Sequence, residues 1–187
     1  MQPRTARWLK PARQLHHIKV TAGEPCSCRT TIDTTAVAAR VQSVERCYGV
    51  TLPPSYREFL LRYDGWANVF RGAALLSTAQ LLNPAWHHRA EIALERAASA
   101  HLPGRHDSTR NSWGDDNLIP IGLDSSGSIV LVLDATSTNT WGEMEAVAWI
   151  SELGLRVPSF ADLLDLFCEL SNKGASCRPR DFEFCAA

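Results

Sequence analysis

The stretch from Val50 to Trp66, VTLPPSYREFLLRYDGW, carries the strongest structural signal in the chain. Pro53 and Pro54 suit the start of a helix, where a missing backbone N–H costs no hydrogen bond. Gly65 stands where a left-handed residue would end that helix. Between these signals, apolar and aromatic side chains recur at helical spacing: Tyr56, Phe59, Leu60 and Tyr63. The sequence therefore predicts a capped amphipathic helix, which must bury one face against other elements.

The spacing of apolar residues elsewhere predicts the remaining elements. Pro120 cannot donate to a β-ladder, so its strand is expected at a sheet edge or at a bulge. Helices first, then neighbouring strands and a closing helix predict an α+β domain, with a mixed or antiparallel sheet flanked by helices. Further helices are predicted over residues 33–48, 78–82, 84–100 and 159–171. Strands are predicted over 118–123, 128–134 and 145–150, and residues 69–77 predict either one strand or a strand pair with Gly72 as a bend.

Composition along the chain suggests one domain with two extensions. Residues 1–30 contain three prolines and scattered bases, and they are predicted to be an irregular basic extension. A solvated segment, a nucleic-acid arm and an organellar presequence are the alternatives for it. Residues 31–174 form the predicted domain, with a polar loop over residues 105–117. Residues 175–187 are predicted to be an irregular C-terminal tail.

The overall composition is that of a soluble globular protein, with 45% hydrophobic and 21% charged residues among 187. No apolar run approaches the ~20 residues that span a bilayer. The N-terminus has no apolar core of a secretory signal. The six cysteines are therefore predicted to be free thiols in a reducing cytoplasm.

The net charge of −1 hides an asymmetry along the chain. Residues 1–30 carry six Lys/Arg and one acid, whereas the rest carries 13 Lys/Arg and 19 acids. A predominantly acidic domain favours a cationic partner and disfavours direct binding of nucleic acid.

Candidate metal ligands occur without the spacing of an established motif. The one-residue gap between Cys26 and Cys28 is shorter than the about two to four residues usual in zinc sites. Aspartates in polar loops commonly cap turns. We therefore predict no metal, no cofactor and no catalytic centre. The candidates are His16–His17 with Cys26 and Cys28, His87–His88, and Asp115–Asp116 with Asp124.

Three tryptophans lie in predicted loops beside Gly, Asn or Asp, outside any helical stripe: Trp66, Trp113 and Trp141. Tryptophan is enriched in the hot spots of protein interfaces, although a single one often fills the core beneath a loop. Together with neighbouring acids, these residues predict a partner-binding surface. Its members are Asp64, Trp66, Trp113, Asp115, Asp116, Asp124, Trp141, Glu143 and Glu145.

The order of these motifs resembles the SUKH superfamily over roughly Asp33 to Ser171. The segments that carry the resemblance are a helix ending in YGV, LPPSYREFLLRYDGW, LLS, LIPIGLDSSGSIVLVLD and PSFADLLDLF. The departures from the family pattern are the basic, cysteine-containing first 30 residues and the long polar loop with Trp113.

The resemblance implies an α+β fold without a catalytic centre. Most bacterial members resemble immunity proteins, which bind and neutralise a cognate toxin, often a nuclease, in interbacterial competition. A toxin with a basic surface would match the acidic domain. The alternative is a regulatory interaction module similar to the fungal cell-wall regulator of the superfamily. A metal-dependent or hydrolytic enzyme is a third class, for which the sequence provides no motif.

Overall fold

A seven-stranded antiparallel sheet forms the framework of the described part of the chain, and each strand pairs with the next in chain order. The computed structural model describes residues 7–24, 27–28, 33–99, 117–150 and 153–172. Within them the strands are β1 Ser27–Cys28, β2 Trp66–Phe70, β3 Ala73–Leu75, β4 Leu118–Leu123, β5 Ile129–Thr138, β6 Met144–Ile150 and β7 Leu153–Val157. The helices are α1 Leu9–Thr21, α2 Thr34–Tyr48, α3 Pro54–Tyr63, α4 Thr78–Leu81, α5 Pro84–Ser99 and α6 Phe160–Asn172.

The two faces of the sheet are covered by different helices, because successive side chains of a strand point to opposite faces. On β5, Ile129, Leu131 and Leu133 pack into the main core with α1, α2, α3 and α6. The alternate residues Val130 and Val132 pack under α5 in a second cluster. The predicted α+β class is confirmed, and every strand pair is antiparallel.

The predicted helix after Val50 is α3, and it begins at Pro54 as the prolines indicated. Its buried face carries Tyr56, Phe59 and Leu60. The left-handed residue at its end is Asp64, with φ of 45°, one position before the expected Gly65. Gly65 follows at φ 103°, and a Cβ there would lie 2.9 Å from the Ser77 nitrogen. Glycine is therefore required for close approach as well as for its backbone angle.

The prediction that residues 1–30 are irregular is wrong for Leu9–Thr21, which forms α1. Pro11 lies in the first turn of this helix, where the missing N–H has no intrahelical partner to lose. Ala12 and Leu15 are buried, and the Cys168 thiol of α6 donates to the Pro11 carbonyl over 3.3 Å. The N-terminal helix is therefore part of the folded domain.

Other sequence predictions are confirmed in detail. Asp33 caps α2 by accepting from the backbone N–H groups of Thr35 and Ala36. Ser159 caps the last helix as predicted, by accepting from the Asp162 N–H at 3.2 Å. The second half of the predicted capping box differs, because Asp162 accepts from the Ser159 hydroxyl at 2.6 Å. Pro120 lies at a register shift of β4, which is an internal strand between β3 and β5. Its position is therefore explained by a bulge, not by a sheet edge.

The last strand was not predicted from the sequence, and two predicted segments lie outside the described residues. β7, Leu153–Val157, was not predicted. The predicted loop before Asn117 and the C-terminal tail fall outside the described part. No helix in the described part has the length and apolarity required to cross a bilayer.

Candidate protein-binding surface

The turn between β5 and β6, residues 139–143, is organised around Asn139. The Asn139 side-chain oxygen accepts from the backbone N–H groups of Trp141 at 2.8 Å and Glu143 at 3.1 Å. The Asn139 backbone donates to the Glu143 carbonyl over 2.9 Å and accepts from the Gly142 N–H over 3.0 Å. These four hydrogen bonds fix the 139–143 turn, with Gly142 at φ 76°.

Glu143 attaches this turn to the start of α3. Its carboxylate accepts from the Ser55 backbone N–H at 3.0 Å and from the Ser55 hydroxyl at 2.6 Å. The residue before the helix, Pro53, provides no side-chain cap. A carboxylate at a helix N-terminus satisfies a free N–H and interacts favourably with the helix dipole. Glu143 therefore caps a helix that lies 88 residues earlier in the chain.

A cleft of about 570 Å³ lies between the residues preceding α3, the first turns of α3 and the β5–β6 hairpin. Arg57 and Glu58 are the charged residues of its wall. Apolar side chains form much of the remainder: Val50, Leu52, Pro54, Ala135 and Met144. We call this feature the α3 cleft. Gly142 of the 139–143 turn lies on its border, beside Trp141.

Trp141 is the large hydrophobic residue with the greatest exposure in the described part, at 64%. Val20 of α1 follows, at 57%. A well-ordered turn that holds a tryptophan in solvent fits a contact site, because tryptophan provides large contact area at low entropic cost. The structure therefore places predicted residues Trp141 and Glu143 together, beside the α3 cleft.

Asp64 and Trp66 were predicted as contact residues, and the structure corrects this because both are buried, at 5% and 3% exposure. Asp64 accepts from the Thr78 N–H at 2.7 Å and the Thr78 hydroxyl at 2.8 Å. Its other oxygen accepts from Arg40 at 3.3 Å. Trp66 begins β2 and packs in the main core. Both residues support the fold, and neither is available to a partner.

Asp124 belongs to the β4–β5 hairpin and is engaged within it. Burial raises the pKa of its carboxyl, but hydrogen bonds from the Ser126 hydroxyl and from the backbone N–H groups of Ile129 and its neighbours bring the pKa below the ordinary value. The Ile129 N–H donates over 3.0 Å. Asp124 therefore acts as a turn-capping residue in this structure.

Glu145 lies opposite Asp134 on neighbouring strands, and Arg156 of β7 binds both carboxylates, at 2.6 Å and 2.7 Å. Burial raises the pKa of Asp134, but hydrogen bonds from Thr136 and Arg156 outweigh burial and bring it below the ordinary value. This group is an ion-pair network across three strands. Glu145 is thus engaged within the protein.

Acidification is expected to lower stability through Asp124 and Asp134. The pKa of each carboxyl is lower in the folded protein than in the unfolded chain, where it is about 4. Each carboxyl therefore stabilises the folded protein fully above pH about 4, and this stabilisation is lost as the pH falls towards the pKa of the folded state. Urea denaturation at pH 6 and pH 3 should show lower stability at pH 3. Asp134→Asn should reduce this difference by about 1 kcal/mol. An unchanged pH dependence in that variant would contradict the assignment.

The remaining predicted contact residues, Trp113, Asp115 and Asp116, lie outside the described residues. Among the described residues there is no group of three or more His, Cys, Asp or Glu side chains that could hold a metal ion. Of the free cysteines, Cys168 is buried, and burial raises the pKa of its thiol to about 11. Cys47 of α2 is exposed.

The sequence does not predict the α3 cleft or the contact between Glu143 and Ser55. Sequence shows that Glu143 is acidic and that Pro53 cannot cap, but it does not show that the two meet. A helix that starts with prolines and lacks a side-chain cap of its own is a signal for a distant capping residue.

The comparison with protein families agrees with the structure. The model of the SMI1 / KNR4 family (SUKH-1) matches residues 36–166, from α2 into α6. No curated protein gives a match to the chain. Helix α1 and the residues after 166 lie outside the matched range. Since the match covers well over half of the 187 residues, the chain belongs to the SMI1 / KNR4 family (SUKH-1).

Proposed function

We propose that this chain is an immunity protein, which binds a cognate toxin in the cytoplasm of the producing cell and neutralises it by direct contact, without catalysis. The observation that carries the proposal is Trp141, exposed to 64% on a turn that four hydrogen bonds hold in place. Membership of the SMI1 / KNR4 family (SUKH-1) supports a protein-binding role.

The charge distribution supports a toxin with a basic surface, such as a nuclease. Beyond residue 30 the chain carries 13 Lys/Arg and 19 acids. Complementary potentials speed association and select the partner. A protein that covers the substrate-binding surface of a nuclease needs no chemistry of its own.

The experiment is co-expression with the product of the adjacent upstream reading frame in a bacterial host. The chain should restore growth and co-purify with that product. Trp141→Ala should weaken the complex by about 30-fold, because interface tryptophans often contribute about 2 kcal/mol. The matched control is Val20→Ala on α1, a second exposed apolar residue, which should leave affinity unchanged.

The outcomes separate the competing functions. If the wild-type chain neither restores growth nor co-purifies, the immunity proposal fails. Capture of a non-toxic partner in place of a toxin would favour the regulatory interaction module. Neutralisation that Trp141→Ala leaves intact would remove the 139–143 turn from the interface.

A further inference from the structure

We infer that the α3 cleft binds an extended segment of the partner protein, in which a lysine or arginine side chain lies between apolar ones. This inference rests on the proposed function and names the chemistry of the segment that the chain recognises.

The size and lining of the cleft suit a short peptide segment. Its volume of about 570 Å³ lies in the ordinary range of ligand sites, roughly 300–1,000 Å³. Leu52 and Met144, which are 2% and 3% exposed, belong to both the cleft wall and the main core. Apolar side chains of a partner would therefore contact a surface continuous with the core of this domain.

The charges around the cleft favour a cation. The Arg57 guanidinium lies 3.9 Å from the Glu45 carboxylate, which partly neutralises its positive charge. Glu58 accepts a neutral hydrogen bond from the Trp8 indole at 3.1 Å, and Glu143 accepts from Ser55. Neither of these two carboxylates forms an ion pair with a cation of the described residues. The charged side chains of the cleft wall are Arg57 and Glu58, and two further acids, Glu45 and Glu143, are hydrogen-bonded to Leu52 and Ser55 beside them. Together these four residues carry a net charge of −2, which favours a basic side chain in the partner.

The walls of the cleft are held in place before any partner arrives. Glu143 fixes the hairpin to Ser55, and Glu45 fixes the chain before α3 by accepting from the Leu52 N–H over 3.1 Å. A preformed site loses little conformational entropy on binding. Trp141 directly precedes Gly142 of the cleft wall and is 64% exposed. An exposed indole ring can bind a cation by stacking.

A defined peptide tests the inference without the toxin. The probe is the peptide acetyl-Leu-Lys-Leu-Arg-Leu-amide, and its acidic counterpart replaces both bases with glutamate. Titration is followed by NMR at the Met144 methyl group and the Trp141 indole. The basic peptide should produce saturable shifts at both groups, and the acidic peptide should not. Equal binding of the two peptides, or shifts confined to other regions, would overturn the inference.

Two variants test the charge and the space separately. Glu58→Gln removes the charge but keeps an oxygen that can accept from Trp8, and it should weaken binding of the basic peptide about threefold. Thr138→Lys places a cation at an exposed position of the cleft wall and should weaken binding by about tenfold or more. The control Glu169→Gln makes the same charge change at an exposed position of α6 and should have no effect.

The same variants separate failure of this inference from failure of the proposed function. A toxin that is neutralised by the wild-type chain, and equally well by Glu58→Gln and Thr138→Lys, would leave the immunity function intact and overturn the assignment of the cleft. Loss of neutralisation in Thr138→Lys with unchanged thermal stability is the expected result.

Discussion

Replacing Trp8 with alanine lowers the free energy of unfolding by about 3–5 kcal/mol. Trp8 is 1% exposed. Its ring meets Phe59 and Tyr63 of α3 edge-on, with centroids 5.7 and 5.8 Å away. Its indole N–H donates to Glu58. The substitution removes the burial and both aromatic pairs, and it leaves a cavity between the start of α1 and α3.

Urea denaturation measures this loss. Val20→Ala is its control, because Val20 lies on α1, which begins directly after Trp8, and is 57% exposed. The control should change stability by no more than about 0.5 kcal/mol. A loss below about 1 kcal/mol in Trp8→Ala would show that α1 does not unfold with the rest of the domain. That result would contradict the integration of α1 described above.

Replacing Asp64 with alanine should destabilise the protein by about 3–5 kcal/mol. The buried carboxylate accepts from the Thr78 N–H, the Thr78 hydroxyl and Arg40. Alanine leaves these donors without this acceptor in a buried site, where an unsatisfied polar group is costly. It also places an alanine at φ 45°, a conformation that asparagine and aspartate tolerate better.

Asp64→Asn separates these causes. Asparagine adopts the left-handed conformation and can still accept from Thr78, but it removes the charge that faces Arg40. Its cost should be about 1–2 kcal/mol, measured by the same denaturation. Equal, small losses in both variants would show that the connection between α3 and α4 tolerates an empty site at this position.

Local chemistry made α2, α3 and α6 predictable from the sequence. Each of these helices combines an apolar stripe with a start or stop signal that acts within a few residues, such as Asp33 before α2 or Ser159 before α6. The β4–β5 hairpin was predictable for the same reason. In these elements local preference and tertiary structure agree.

Other features depend on contacts between distant parts of the chain, and they could not be predicted from local sequence. The prolines of residues 1–30 contributed to the prediction of an irregular segment, although Pro11 is harmless in the first turn of α1. Trp66 has the same residue type as Trp141, yet one is buried in β2 and the other is exposed. A cap such as Glu143 on α3 joins residues 88 apart. Trp141 and Glu143 of the candidate surface were predicted from the sequence. The cleft beside them could be recognised only in the folded structure.

The packing of α1 against α6 also has a consequence for synthesis of the chain. Arg7 binds Asp162 at 2.7 Å, across 155 positions of sequence. At a translation rate of about 5–20 residues per second, α6 emerges roughly 8–30 s after α1. Throughout that interval Ala12 and Leu15 lack the C-terminal helix against which they pack. The apolar face of α1 therefore stays without its α6 partner until α6 has been synthesised, and docking of α1 on α6 cannot precede that point.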